Sequence, residues 1–161
     1  METCNYEKTL VCNKGDIVLE SYNYHENNKK AYSLFCNFYN IIKNNINVNA
    51  LLSSEIYQLL EKINPELIER IYILKQLNEN ETDICILFKP IAKELGIKQK
   101  YILFRTSKSL DIENKKIIFD NKDLSLINKD LVKLYLDEIN LNLNKYEPII
   151  FNFGKTLINL N

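Results

Sequence analysis

Two short apolar runs, Ile84-Cys85-Ile86-Leu87-Phe88 and Tyr101-Ile102-Leu103-Phe104, most constrain what this chain can fold into. A strand with one solvated face alternates apolar and polar side chains, and neither run does. Unbroken apolar runs of four or five residues fit strands covered on both faces. The cover is expected from helical stretches on either side. Between the runs lie Lys89-Pro90, a segment the size of one turn (Ile91-Ala92-Lys93-Glu94-Leu95) and Gly96, which together reverse the chain.

Ahead of this pair, residues 6–24 read as a β-hairpin. Thr9–Cys12 and Ile17–Leu19 flank Asn13-Lys14-Gly15-Asp16, where Gly15 can supply the positive φ of a tight turn. Pairing Cys12 with Ile17 sets Leu10 against Leu19 and Val11 against Val18, so Leu10 and Leu19 are expected to be buried neighbours. Three helices are expected next. The first carries Ala31, Leu34, Phe35, Phe38, Ile41 and Ile42 at three- and four-residue steps. The second starts from a Ser53 or Ser54 cap with Ile56, Leu59, Leu60 and Ile63 inward. The third is announced by Asn64-Pro65-Glu66 and carries Leu67, Ile68, Ile71, Leu74 and Leu77.

Beyond the central strands, Ser107–Asn114 reads as a polar loop and Lys116–Phe119 as a strand, with Asp120–Asp123 as a turn. A fourth helix runs from about Asn128 and presents Leu131, Tyr135, Leu136, Ile139 and Leu143. The last strand is expected at Ile149–Phe153, with Gly154 as a bulge and Leu157-Ile158 beyond it. The fold class expected is therefore α+β: one compact domain over 1–161, with an N-terminal hairpin, a three-helix segment, a short mixed or antiparallel sheet, a further helix and a C-terminal strand.

Composition enters as a bound on function. The 161 residues balance 21 basic against 21 acidic side chains, so no global charge steers the chain to nucleic acid or an anionic membrane. Lysine greatly outnumbers arginine, and Asn, Ile and Tyr are abundant. These residues have AT-rich codons, a bias that reports an AT-rich genome, such as that of a virus, protist parasite or bacterium. No basic n-region and apolar core open the sequence, so the default expectation is a cytoplasmic protein with no membrane partner.

Motifs for chemistry are sparse. No phosphate-cradling glycine loop, GxSxG elbow or HExxH pair occurs among only three glycines and one histidine. That histidine, His25, falls opposite Cys4 in an extended hairpin register, and Cys12 and Cys36 would complete a nominal zinc set. The spacings match no zinc module, and Cys12 falls in an apolar pattern, so no metal, catalytic residue or cofactor is assigned. Asp111, Glu113, Asp120 and Asp123 lack the glycine and alternating ligands of a calcium loop.

Charge is uneven along the chain. Residues 1–88 hold 8 basic and 12 acidic side chains, whereas 89–108 hold Lys89, Lys93, Lys98, Lys100, Arg105 and Lys108 against Glu94 alone. Those six are the candidate contacts for an anion or nucleic acid, with Tyr101 able to stack on a base. The second and third helices followed by strands also fit a winged helix-turn-helix, whose reading helix would span 65–77. The expected function is a non-catalytic intracellular interaction module, adaptor or regulator, with a protein partner. The alternatives are RNA, DNA or ribosome binding through 89–108, and a small enzyme with a cysteine or acidic centre.

Overall fold

The structure is a computed structural model and describes residues 6–14, 17–24, 29–36, 53–90, 93–152 and 154–159. The chain divides into two compact units, residues 1–46 and 47–161. Antiparallel sheet dominates both, which corrects the expected α+β class with its three-helix segment.

The first unit is a three-stranded sheet in the order β1 (Tyr6–Lys14), β2 (Ile17–Tyr24), β3 (Lys29–Cys36). The hairpin is where the sequence places it, but its register differs. Lys14 pairs with Ile17 and Cys12 with Leu19, and a bulge lets Leu10 face Glu20. A two-residue connection suits a tight hairpin, and it takes Asn13 and Lys14 into the strand. Leu10 and Val11 are consequently exposed, not core. The first expected helix is overturned over Lys29–Cys36, which pairs with β2 from Tyr24↔Lys29 to Ile17↔Cys36. The rest of that helix, from Asn37 on, lies outside the described residues, as do Cys4 and His25. Side chains on one face of β1 and β2 hold together: Lys8 Nζ meets Glu20 Oε1 at 2.7 Å, and the Tyr22 hydroxyl donates to Glu20 Oε2 at 2.6 Å.

The second unit is a six-stranded sheet with a helix on each face. Its main path runs β4 (Ile68–Gln76), β5 (Glu81–Phe88), β6 (Gln99–Asp111), β7 (Lys116–Asp123) and β9 (Gly154–Asn159). Every neighbouring pair on that path is antiparallel. The short β8 (Tyr146–Pro148) lies parallel to the first residues of β6, from Gln99↔Tyr146 to Tyr101↔Pro148.

β5 and β6 are covered on both faces, as their apolar runs require. Ile84, Ile86 and Phe104 join Ile117, Phe119 and the helix α1 (Ile56–Ile63) in one core, through Ile56 and Tyr57. The intervening Cys85, Leu87, Tyr101 and Leu103 face the other way and pack under Tyr135 and Leu136 of α2 (Lys129–Glu138). Period-two alternation therefore splits each apolar run between two cores. Both helices fall where they are expected, at the second and fourth helical patterns.

The third expected helix is overturned: Ile68–Gln76 is the edge strand β4. With it goes the helix-turn-helix reading helix at 65–77. The expected turn at 120–123 and much of the expected loop at 107–114 are strand, in β7 and β6. Over 149–152 the expected strand is overturned, with β8 before it and β9 after it; Phe153 lies outside the described residues, and Gly154 opens β9. Among its described residues the β5–β6 connection holds a 3-10 turn, Lys93–Leu95, ended by Gly96 at φ +72°, a left-handed conformation that suits glycine.

α2 is bounded at both ends by side-chain and backbone capping. Asn128 Oδ1 accepts from the backbone N–H groups of Asp130 (3.1 Å) and Leu131 (3.0 Å). At the other end Asn140 takes φ +53°, its N–H donates to Asp137 O, and Leu141 N–H donates to Leu136 O. Asn128→Ala should lower stability by about 1 kcal/mol, read as a shift in the urea midpoint, and Asn128→Gly by only a few tenths. Equal losses from the two variants would contradict the cap.

Candidate functional site

The face of the large sheet beside α1 is not wholly filled. An open cleft of about 280 Å3 is lined by Tyr57, Ile86, Ile102, Phe104, Asn121, Phe151, Gly154 and Thr156. The fold places these residues in a few steps. Ile86, Ile102 and Phe104 come from β5 and β6, on the face that alternation turns toward α1. Asn121 and Gly154 are direct partners on β7 and β9. Tyr57 descends from the first turn of α1, and Phe151 stands in the connection from β8 to β9.

Aromatic rings build one wall. Tyr57 and Phe104 meet edge to face at 5.4 Å between centroids, and Phe104 meets Phe151 at 6.1 Å. The polar atoms in the cleft are already committed to one another. The Tyr57 hydroxyl donates to Asn121 Oδ1 at 2.8 Å and lies 3.1 Å from Thr106 Oγ1. A phenol has one proton, so with that proton on Asn121 the Thr106 hydroxyl is the donor to Tyr57. Asn121 Nδ2 points to Thr156 Oγ1 at 3.5 Å. Burial pushes the Tyr57 pKa up, and hydrogen bonding with Thr106, Asn121 and Thr156 opposes the shift only in part, so the ring stays neutral at physiological pH. Phe151 is itself anchored, because its N–H donates to the buried Asp123 Oδ2 at 3.1 Å.

The opposite face holds a charged cluster with a structural geometry. Asp83, fully buried on β5, sits directly across from Arg105 on β6. Arg105 Nε and Nη2 donate to Asp83 Oδ1 (2.7 Å) and Oδ2 (2.9 Å), and the Tyr135 hydroxyl adds a bond to Oδ2 at 2.9 Å. These bonds tie α2 to the sheet. The Asp83 hydrogen bonds hold the Arg105 pKa above its ordinary value.

The six basic side chains expected to form one contact surface are divided by this fold. Arg105 faces the α2 side and is held by Asp83. Lys100 and Lys108 face the α1 side but lie eight residues apart on β6, about 27 Å at strand rise. Lys100 is ion-paired with Glu147, and Lys98 Nζ donates to Leu143 O at 3.4 Å. Lys89 and Lys98 are exposed near the β5–β6 connection, and the side chain of Lys93 lies outside the described residues. Lys89, Lys98 and Lys100 thus share one end of the sheet, Lys108 belongs to the other, and Tyr101 is buried under α2.

Three of the acidic candidates have local partners. Asp111 accepts from the backbone and side-chain amides of Asn114, Asp120 pairs with Lys155 at 3.4 Å, and Asp123 accepts from Ser125. No group of three or more potential metal ligands occurs among the described residues. Cys85 is buried, and the side chains of Cys12 and Cys36 lie outside the described residues.

The sequence contained only indirect signs of the cleft. Tyr57 borders the apolar stripe of its helix, Asn121 falls in a segment that reads as a turn, and Gly154 reads as a bulge. No helix among the described residues is long and apolar enough to cross a membrane. No protein-family model matches the chain, and no curated protein matches it.

Proposed function

We propose that the chain is a non-catalytic protein-interaction module that holds an apolar side chain of a partner protein in the cleft between Tyr57 and Phe151. The observation that carries this reading is the cleft's combination of size and chemistry. At about 280 Å3 it lies just below the roughly 300 Å3 at which pockets for drug-sized ligands begin. It is nevertheless about twice the roughly 150 Å3 that admits benzene, which suits one or two large side chains. The Tyr57 hydroxyl is already bonded to Asn121 and Thr106, so an apolar group can enter without orphaning it.

Gly154 provides the test. It lies outside the left-handed region, and a Cβ there would sit 3.6 Å from Asn121 Cβ and Phe151 Cε2, an ordinary contact. Gly154→Leu should fold normally and push its side chain into the cleft. Peptides selected on the wild-type chain from a random displayed library are expected to carry an apolar anchor and to bind the variant about tenfold or more weakly. Unchanged affinity in a variant that folds normally would remove the reading. Nucleic-acid binding, the competing reading, would depend on Lys89, Lys98 and Lys100 and weaken steeply with salt.

A further inference from the structure

We infer that the outer edge of β9 receives an extended segment of the partner protein as an added strand, with its apolar side chains toward the cleft and its acidic side chains on the other face. This rests on the cleft reading above and names how the partner is held. The large sheet ends in β4 on one side and β9 on the other. The two edges are built differently.

β4 is guarded against pairing. Its register shifts twice, between Ile68 and Arg70 and between Ile73 and Lys75, and Glu61 of α1 reaches over to accept from the Ile71 N–H at 2.6 Å. Bulges and a side chain bonded to the backbone are common ways to blunt an edge. β9 pairs with β7 in unbroken register from Asn121↔Gly154 to Lys116↔Asn159. Among the described residues no strand lies along its other side. A regular edge presents alternating N–H and C=O groups, and the group that matches them is another extended backbone.

The side chains beside that edge say what the added strand should carry. Gly154 and Thr156 line the cleft and Ile158 packs against the same core, so alternate residues of an added strand would meet apolar surface. The remaining residues would lie over the reverse face. There Lys116, Asp120 and Lys122 are spaced along β7, Lys155 on β9 stands across from Asp120 and pairs with it, and Asp111 stands across from Lys116. Three cations against two acids, with exposed Leu157 among them, suit acidic side chains interspersed with backbone contacts.

The probe is a short fluorescent peptide of alternating valine and glutamate, titrated into the full chain. Two further versions carry N-methyl groups on alternate amides, one on the even and one on the odd positions. Only one set of amides can face β9, so one version should lose about tenfold or more in affinity while the other binds like the parent. Hydrogen exchange on the complex should show new protection in residues 154–159. Equal binding of both N-methylated versions, equal binding of a valine–lysine peptide, protection confined to another strand, or no binding of the parent peptide would each overturn the inference. Failure of the cleft reading is separately visible: Gly154→Leu would then bind the parent peptide unchanged while the N-methyl asymmetry persisted.

Discussion

Replacing Asp83 with alanine is expected to destabilise the second unit by about 3–5 kcal/mol, because it removes one partner of a buried, hydrogen-bonded charge pair. Asp83 is fully buried and accepts three bonds, two from Arg105 and one from Tyr135. Without it the guanidinium, whose side chain is 24% exposed, keeps little water to replace the carboxylate. The Tyr135 hydroxyl also loses its acceptor at the α2 interface. Asp83→Asn removes the charge and keeps one accepting oxygen, but the amide also turns its own donors toward the Arg105 donors, so it should recover little of the alanine loss. A triple change, Asp83→Val with Arg105→Leu and Tyr135→Phe, removes every partner together and should recover much of the loss. Urea midpoints followed by circular dichroism measure all three. A single-alanine cost below about 1 kcal/mol would place this pair with ordinary surface ion pairs.

The same residues show why the fold was only partly legible in the sequence. Ile84–Phe88 and Tyr101–Phe104 read correctly as doubly covered strands because burial on two faces leaves an unbroken apolar run. The helices at 56–63 and 129–138 read correctly because their stripes are simple and Asn128 caps the second. β4 failed for a specific reason. Its first bulge adds a residue, so Ile68 and Ile71 share the α1 face three positions apart, as on a helix, while Leu74, at the second bulge, extends the three-residue spacing in the sequence but packs with the opposite core. The Asn64-Pro65-Glu66 signal is also real at short range: Asn64 O accepts from Leu67 and Ile68, making one turn before the strand starts. In the first unit the segment from Lys29 to Cys36 satisfies both a helical and a strand period, and pairing with β2 decides it. The cleft was hidden because its residues are far apart in sequence, and register alone brings Asn121 to Gly154. Likewise, Arg105 looks like one cation of a basic run until its cross-strand partner proves to be Asp83.

Alkaline pH should weaken the second unit progressively above about pH 9, and the buried thiol of Cys85 is the main cause. Cys85 has no solvent exposure, and burial pushes its pKa from 9.0 to about 12. The unfolded chain therefore gives up this proton first. A folded pKa above the unfolded one contributes stability that is complete below pH 9 and is lost as pH rises toward 12. At about 1.4 kcal/mol per pH unit the full loss is roughly 4 kcal/mol. Tyr135 acts in the same direction: burial first, and then its donated bond to Asp83, raise it to about 12. Tyr57 and Tyr101 are also raised by burial, so no opposing slope comes from these rings. Urea midpoints should hold steady from neutral pH to about pH 9 and then fall continuously. Cys85→Val keeps an apolar side chain of similar size but has no proton to lose, so the difference between the two profiles isolates the thiol. The variant's profile should fall less steeply over that window, with the divergence growing toward pH 11 to about 2–3 kcal/mol. Parallel profiles would show that the Cys85 thiol titrates in the folded chain as it does in water, contrary to its position between β5 and α2.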